Sequence, residues 1–231
     1  MERFKIRNLH VYGFRSKNEL IDFAVEEKKI LVAINAEKIL KDDEKLVHII
    51  NNNIGYSDGI GAVKALKQKG FKEAIKIPGV ELWLDIIQKK YKEKNFYIIG
   101  STEDVIEKCQ QKLKITFPGI NILHYHSGYF NEQEIEKLKE DLIKLKPDIV
   151  FVAMGSPKQE FFMSELHNIH PALYMGLGGS FDVYVEKVKR APKFFIALGL
   201  EWMYRLIKQP TRIKRQIVLI KFFFLLLFKK I

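Results

Sequence analysis

Five short runs of the chain are almost wholly apolar: ILVAI (30–34), FYIIG (96–100), NILHY (121–125), DIVFVAMG (148–155) and ALYMG (172–176). Runs of this length without polar alternation suit strands covered on both faces. Between them, apolar residues recur at helical spacing over about 36–50, 59–69, 80–93, 103–115, 131–145 and 157–168. Such periodicity predicts amphipathic helices. Strand and helix in alternation predict an α/β fold with a largely parallel sheet flanked by helices. Several strands end in glycine, at Gly100, Gly155 and Gly176. In open α/β sheets ligands bind at the carboxyl ends of the strands, so these turns are the first place to look for a site.

One polar interruption stands out. The stretch NNNIGYSDGIGAV (51–63) is a run of turn formers leading into a helical pattern. Asp58 sits at its hinge. As a helix cap it would turn its carboxylate back onto the N–H groups near Ile60 and Gly61. As a chemical group it would face a pocket. The spacing leaves both readings open.

Composition and charge then divide the chain in two. With 231 residues and 47% hydrophobic content it is long enough for a substantial core. A single cysteine, Cys109, excludes an internal disulfide and fits a reducing cytosol. MERFKIRNLHVYGF has no apolar signal-type core. The net charge is +11, yet residues 190–231 hold ten basic residues and one acid, Glu201. The first 189 residues are therefore nearly neutral. We expect a core over 1–190 and a basic, apolar helical appendage over 191–231.

The appendage also carries an apolar block. From Ile217 to Phe228 only Lys221 is polar, and basic residues flank the block on both sides. Twelve residues fall short of the ~20 needed to span a bilayer. Basic residues beside an exposed apolar block describe a segment lying in the interface of an anionic membrane, here over 211–231. A nucleic-acid tail would be basic without the apolar block, so no nucleic-acid partner is expected. Packing on the core or between subunits of a homo-oligomer is the other use of such a helix.

Three further motifs could carry chemistry. In VAMGSPKQEFF (152–162) the expected strand ends at Gly155, Ser156 is a candidate N-cap, Pro157 suits the first helical position, and Gln159 stands where a capping box places Glu or Gln. The same helix start would suit a diphosphate, with Lys158 adding a full charge. In YMGLGGSFD (174–182) the glycines Gly176, Gly178 and Gly179 would let backbone approach a ligand. Asp182 there would cap or bond locally. In IKIPGVELW (75–83) Pro78-Gly79 marks a turn before a helix, with Lys76 and Glu81 beside it. No metal set emerges. His124 and His126 share a strand face without a third ligand, and Asp42-Asp43-Glu44 is the solvated face of a charged helix.

Taken in order, INAEKI, YSDGIGAV, IPGVELW, GSPKQEFF, GLGGSFDVYVEKVKRAP and LEWMYRLIKQPTRIKR resemble the WecG/TagA/CpsF family of bacterial glycosyltransferases, from about residue 30 to about residue 215. The resemblance implies a Rossmann-like core. It implies inverting transfer of N-acetylmannosamine or its uronic acid from a UDP donor to N-acetylglucosamine on undecaprenyl diphosphate, at the inner membrane face. It implies no metal and no other cofactor. The family's proposed general base falls on Asp58, followed by Gly59. Its pocket glutamine falls on Gln159 and the asparagine of its T-x-N motif on Asn35. The threonine of that motif is Ala33 here. The arginine before the I-P-G turn is Lys76, which keeps the charge and loses the bidentate fork. Tail arginines brought over the pocket correspond to Arg205, Arg212 and Arg215. Gly155, Ser156, Lys158, Gly178, Gly179 and Asp182 complete the expected substrate-binding set.

Two other classes fit less of the sequence. An NAD(P) oxidoreductase would need G-x-G-x-x-G after its first strand and an acid at the end of the next, and ILVAINAEKI offers neither. A non-catalytic peripheral membrane protein would explain the tail and not the six ordered motifs. Within the family, the donor could also be another UDP-hexose.

Overall fold

The computed structural model describes residues 1–189, 191–192, 194–195, 201–208, 213–228 and 230–231. Six parallel strands form the central sheet: β3 (Ile30–Ile34), β4 (Ile54–Ser57), β5 (Asn95–Gly100), β6 (Asn121–His126), β7 (Ile149–Ala153) and β8 (Leu173–Gly176). Their spatial order is β4-β3-β8-β7-β5-β6. An antiparallel hairpin, β1 (Arg3–Ile6) with β2 (Leu9–Tyr12), stands apart as a second small sheet. The expected α/β class is the observed one.

Side-chain alternation along the strands builds a core on each face. Val32, Ile34, Tyr97, Ile99, Val150 and Val152 face one cluster. There they meet residues of α2 (Ala36–Leu40), α3 (Glu44–Asn52), α4 (Ile60–Gln68), α7 (Glu132–Leu145) and α8 (Lys158–Ile169). Leu31, Phe96, Ile98, Ile149, Phe151 and Met175 face the other, against α1 (Lys17–Glu27), α5 (Gly79–Lys90), α6 (Glu103–Thr116) and α9 (Ser180–Tyr184). Trp83 anchors that second face, edge-on to Phe151, Phe181 and Tyr184 at 5.8, 5.5 and 5.2 Å.

Several expectations are corrected. The helix read over 36–50 is two helices, because Asp43 caps α3 by accepting from Leu46 N–H at 3.0 Å. Asp43 is thus a cap and not part of a solvated helical face. The turn run at 51–57 hides β4, which is short and contains Gly55 and Ser57 but is fully buried beside β3. The hairpin and α1 also lie in a stretch where no element was expected.

Among the described residues of the tail, two helices are seen, Glu201–Lys208 and Ile213–Leu227. The second packs on α2 and α4. Phe222 is fully buried, and a Cβ on Gly61 would come within 2.8 Å of its ring. Gln68 Nε2 donates to the Leu226 carbonyl at 3.0 Å, and the Lys64 ammonium lies over the Phe223 ring. On the outward side Ile220, Phe223, Phe224, Leu227 and Phe228 are exposed. Their spacing of three and four residues makes one continuous apolar stripe. Among the described residues no helix is long and apolar enough to cross a membrane.

Candidate active site at the carboxyl edge of the sheet

The chain leaves β3 and β4 side by side. Asn35, just past β3, caps α2: its Oδ1 accepts from Lys38 N–H at 3.0 Å. The N–H of Asp58, just past β4, donates to Ile34 O at 3.1 Å. A Cβ on Gly59 would lie 3.5 Å from Asn35 Cβ, so this glycine lets the two turns touch.

Asp58 does not cap the helix that follows it. Gly59 is the N-cap of α4 and no side chain bonds there. Asp58 Oδ1 instead accepts the N–H of Gly79, the first residue of α5, at 2.7 Å. The positive end of α5 therefore holds the carboxylate from across the site. The segment before α5 is laced to β4: Ser57 Oγ donates to Ile75 O at 2.8 Å, and Ile77 N–H donates to Ser57 O at 2.9 Å. Lys76 lies between these two ties, half-buried.

Tyr56 lies beneath this corner. Its hydroxyl is fully buried without a hydrogen-bond partner, and a Cβ on Gly79 would come within 2.9 Å of it. Burial, then the nearby charges of Asp58 and Glu160, push its ionisation well above the ordinary tyrosine range.

Beyond β7 the turn runs through Gly155 at φ +77° to α8. The expected capping box is not formed. Pro157 is the N-cap, no side chain caps the helix, and the N–H of Gln159 already donates to Gly155 O at 2.9 Å. Gln159 is buried and reaches away from Ser156. Its Oε1 accepts from Gly178 N–H at 2.9 Å and its Nε2 donates to Glu160 Oε1 at 3.4 Å. Glu160 pairs with Lys38 at 2.8 Å, and Lys38 Nζ also donates to Ala33 O at 3.0 Å. Sequence reasoning missed Lys38, Glu160 and Tyr56. A lysine and a glutamate on predicted helices resemble any solvated pair until the fold buries them.

After β8 the glycines differ in use. Gly176 makes room for Gln159, whose Nε2 would be 2.3 Å from a Cβ there. Gly155, Gly178 and Gly179 border open space, with Gly178 at φ +58°. The turns after β3, β4, β7 and β8 thus bring Asn35, Asp58, Gly59, Gln159 and Gly178 to one edge. Ser156 and Lys158 are exposed. Lys158 borders a groove on the outer side of α8 with Lys45, Phe130 and Phe161. Asp182 faces the other half of the sheet, where its Oδ2 accepts from Ser101 Oγ at 3.1 Å. Arg212 and the side chains of Arg205 and Arg215 lie outside the described residues.

Among the described residues no group of three or more His, Cys, Asp or Glu gathers as a metal site. His124 lies 3.7 Å from Asp141, and the His126 ring contacts Ser127 O.

An acidic side chain thus stands at the carboxyl edge of a parallel sheet, beside a glycine loop bordering open space, where open α/β sheets bind ligands. The family model described as glycosyl transferase WecG/TagA/CpsF family matches residues 5–231, nearly the whole chain. The chain belongs to that family, and its activity is glycosyl transfer from a sugar donor to an acceptor.

Proposed function

We propose that this protein is an inverting glycosyltransferase of cell-surface polysaccharide synthesis. It moves N-acetylmannosamine or N-acetylmannosaminuronic acid from a UDP-sugar to N-acetylglucosamine on undecaprenyl diphosphate. The observation that carries the reading is Asp58: it is held by the α5 N-terminus, leaves its own helix uncapped by a side chain, and shares an edge with open glycines. Asp58 takes the proton of the attacking acceptor hydroxyl. The new oxygen–carbon bond forms at the anomeric carbon while the bond to the diphosphate breaks on the opposite face. UDP leaves with the electron pair. A carboxylate suffices as base because the hydroxyl becomes acidic late, as the sugar gains oxocarbenium character. The backbone of the glycine loop at 176–180, Lys76 and the tail arginines Arg205, Arg212 and Arg215 stabilise the departing diphosphate without a metal.

Residues 191–231 act as the membrane-associating appendage at the inner face of the plasma membrane. The outward stripe of Ile220, Phe223, Phe224, Leu227 and Phe228, with Lys221 and Lys230 exposed beside it, supports this role. A panel of UDP-ManNAc, UDP-ManNAcA, UDP-GlcNAc and UDP-Glc with a lipid-diphosphate GlcNAc acceptor tests the assignment. Turnover with one of the two mannosamine donors is expected. Turnover with only UDP-GlcNAc or UDP-Glc would overturn the donor class.

A further inference from the structure

The Lys38–Glu160 pair is hard to explain as a stabilising device. Both side chains are almost wholly buried, at 8% and 1% exposure. Removing two charges from water costs more than a simple pair recovers unless every remaining lone pair is satisfied. Here it is not, since Glu160 Oε2 is buried without a hydrogen-bond partner. An apolar pair of the same volume would serve stability at least as well. The pair is therefore better explained by what else Glu160 Oε1 touches.

Glu160 Oε1 receives both Lys38 Nζ and the Gln159 carboxamide. A carboxamide can sit in two orientations. In the observed one its NH2 faces the Glu160 carboxylate and its carbonyl accepts the Gly178 N–H. A flip would set carbonyl against carboxylate and NH2 against N–H, losing both bonds. The negative charge of Glu160 selects the productive orientation. Lys38 Nζ pairs with the same carboxylate at 2.8 Å and ties it to Ala33, next to the Asn35 turn.

We propose that Glu160, charge-balanced by Lys38, is a positioning residue: it orients the Gln159 carboxamide, which pins the Gly178 backbone and shapes the glycine loop for the donor diphosphate. The donor part rests on the function proposed above. Gly176 belongs to the same device, because only a residue without a Cβ leaves room for the Gln159 amide. The ends of the loop are held by Leu177 N–H donating to Val152 O at 2.8 Å and Ser180 Oγ donating to Leu177 O at 2.7 Å, and the Gln159 carbonyl holds the Gly178 N–H between them.

Two double variants of the full-length protein test this. Lys38→Met with Glu160→Met replaces the pair by apolar side chains and removes the acceptor for Gln159 Nε2. Lys38→Met with Glu160→Gln also removes both charges but keeps a carbonyl acceptor. Hydrogen exchange of the segment spanning 176–180 reads the loop directly, and titration with UDP reads donor affinity. In the Met/Met variant the Gly178 amide exchanges faster and UDP binds about tenfold more weakly, the scale of one lost charge-assisted bond. The Met/Gln variant recovers much of both. Unchanged exchange at Gly178 in the Met/Met variant overturns the proposal. So does an equal loss in both variants, which would mark the ion pair as a requirement of folding alone. If the wild-type protein itself binds no UDP, the donor reading fails, and the exchange comparison still decides the positioning role.

Discussion

At the carboxyl ends of β7 and β8, Gly155, Gly178 and Gly179 border open space, whereas at the carboxyl ends of β5 and β6 Gly100 and Gly128 are packed against neighbouring backbone. A Cβ on Gly100 would lie 2.3 Å from Ala153 O, and one on Gly128 would lie 3.1 Å from Gly100 Cα. Ser101 N–H donates to Ala153 O at 3.0 Å and Gly128 N–H to Ser101 O at 2.8 Å, closing that end. The two halves share one sheet and one kind of turn residue. A strand-end glycine therefore has two uses: Gly100, Gly128 and Gly176 admit protein atoms, whereas Gly155, Gly178 and Gly179 leave space beside the backbone.

The sharpest division between the halves is chemical. Asp58→Asn preserves an acceptor for the Gly79 N–H and removes the base. We expect transfer to fall by about a hundredfold to ten-thousandfold with UDP affinity and melting temperature unchanged. Turnover within a few-fold of wild type would remove Asp58 from the mechanism.

Gly100→Ala should act on the fold alone. With φ at +128° and backbone in the way, it should cost about 3 kcal/mol or more, read by chemical denaturation. Gly179→Ala is its counterpart on the open side. Its φ of −97° suits any residue and nothing lies within 4 Å. Stability should hold within about 0.5 kcal/mol, while UDP affinity drops roughly tenfold. Equal stability losses in the two variants would erase the distinction between closed and open ends.

The tail allows a similar contrast on one helix. Phe222→Ala removes the ring seated against Gly61 and should loosen the helix by about 3 kcal/mol, seen as faster exchange over 213–227. Phe224→Ser on the outward stripe should leave exchange unaltered and weaken binding to anionic vesicles about tenfold. Vesicle binding insensitive to Phe224→Ser would count against the stripe as the membrane face.

Buried acidic protons in both halves also set a pH limit. Burial pushes the Cys109 thiol from 9.0 up to about 12, and it also raises Tyr56, Tyr97 and Tyr174. These groups hold their protons more tightly folded than unfolded. Their contribution is complete below the unfolded values, so stability should be flat up to about pH 9 and fall as pH climbs toward 12. Cys109→Val should flatten the first part of that fall in melting temperature against pH.

Strands β3, β5, β7 and β8 were legible because burial on both faces leaves few polar residues in them, whereas β6, also read as covered on both faces, is a partly exposed edge strand. β4 was not legible, since IGYS has the composition of a turn and becomes a strand only when β3 pairs with it. Asp58 was legible as a candidate through its glycine-rich company. Its partner was not, because the Gly79 N–H comes from a different helix. Ser156-Pro157-Lys158-Gln159 looked like a capping box, yet the Gln159 side chain bonds Gly178 and Glu160 and not the helix start.

By itself the sequence determined the alternation of strands and helices, the charge division near Arg190, and the ordered motifs that mark the family. Those are properties of short windows, where periodicity and composition act over one element at a time. Only the tertiary structure decided which strand ends lie side by side. That adjacency turned Asp58 toward α5, buried Lys38 against Glu160, and seated Phe222 on Gly61. Each pairing joins residues remote in sequence, and its energy exists only once the sheet order β4-β3-β8-β7 has excluded water from between them.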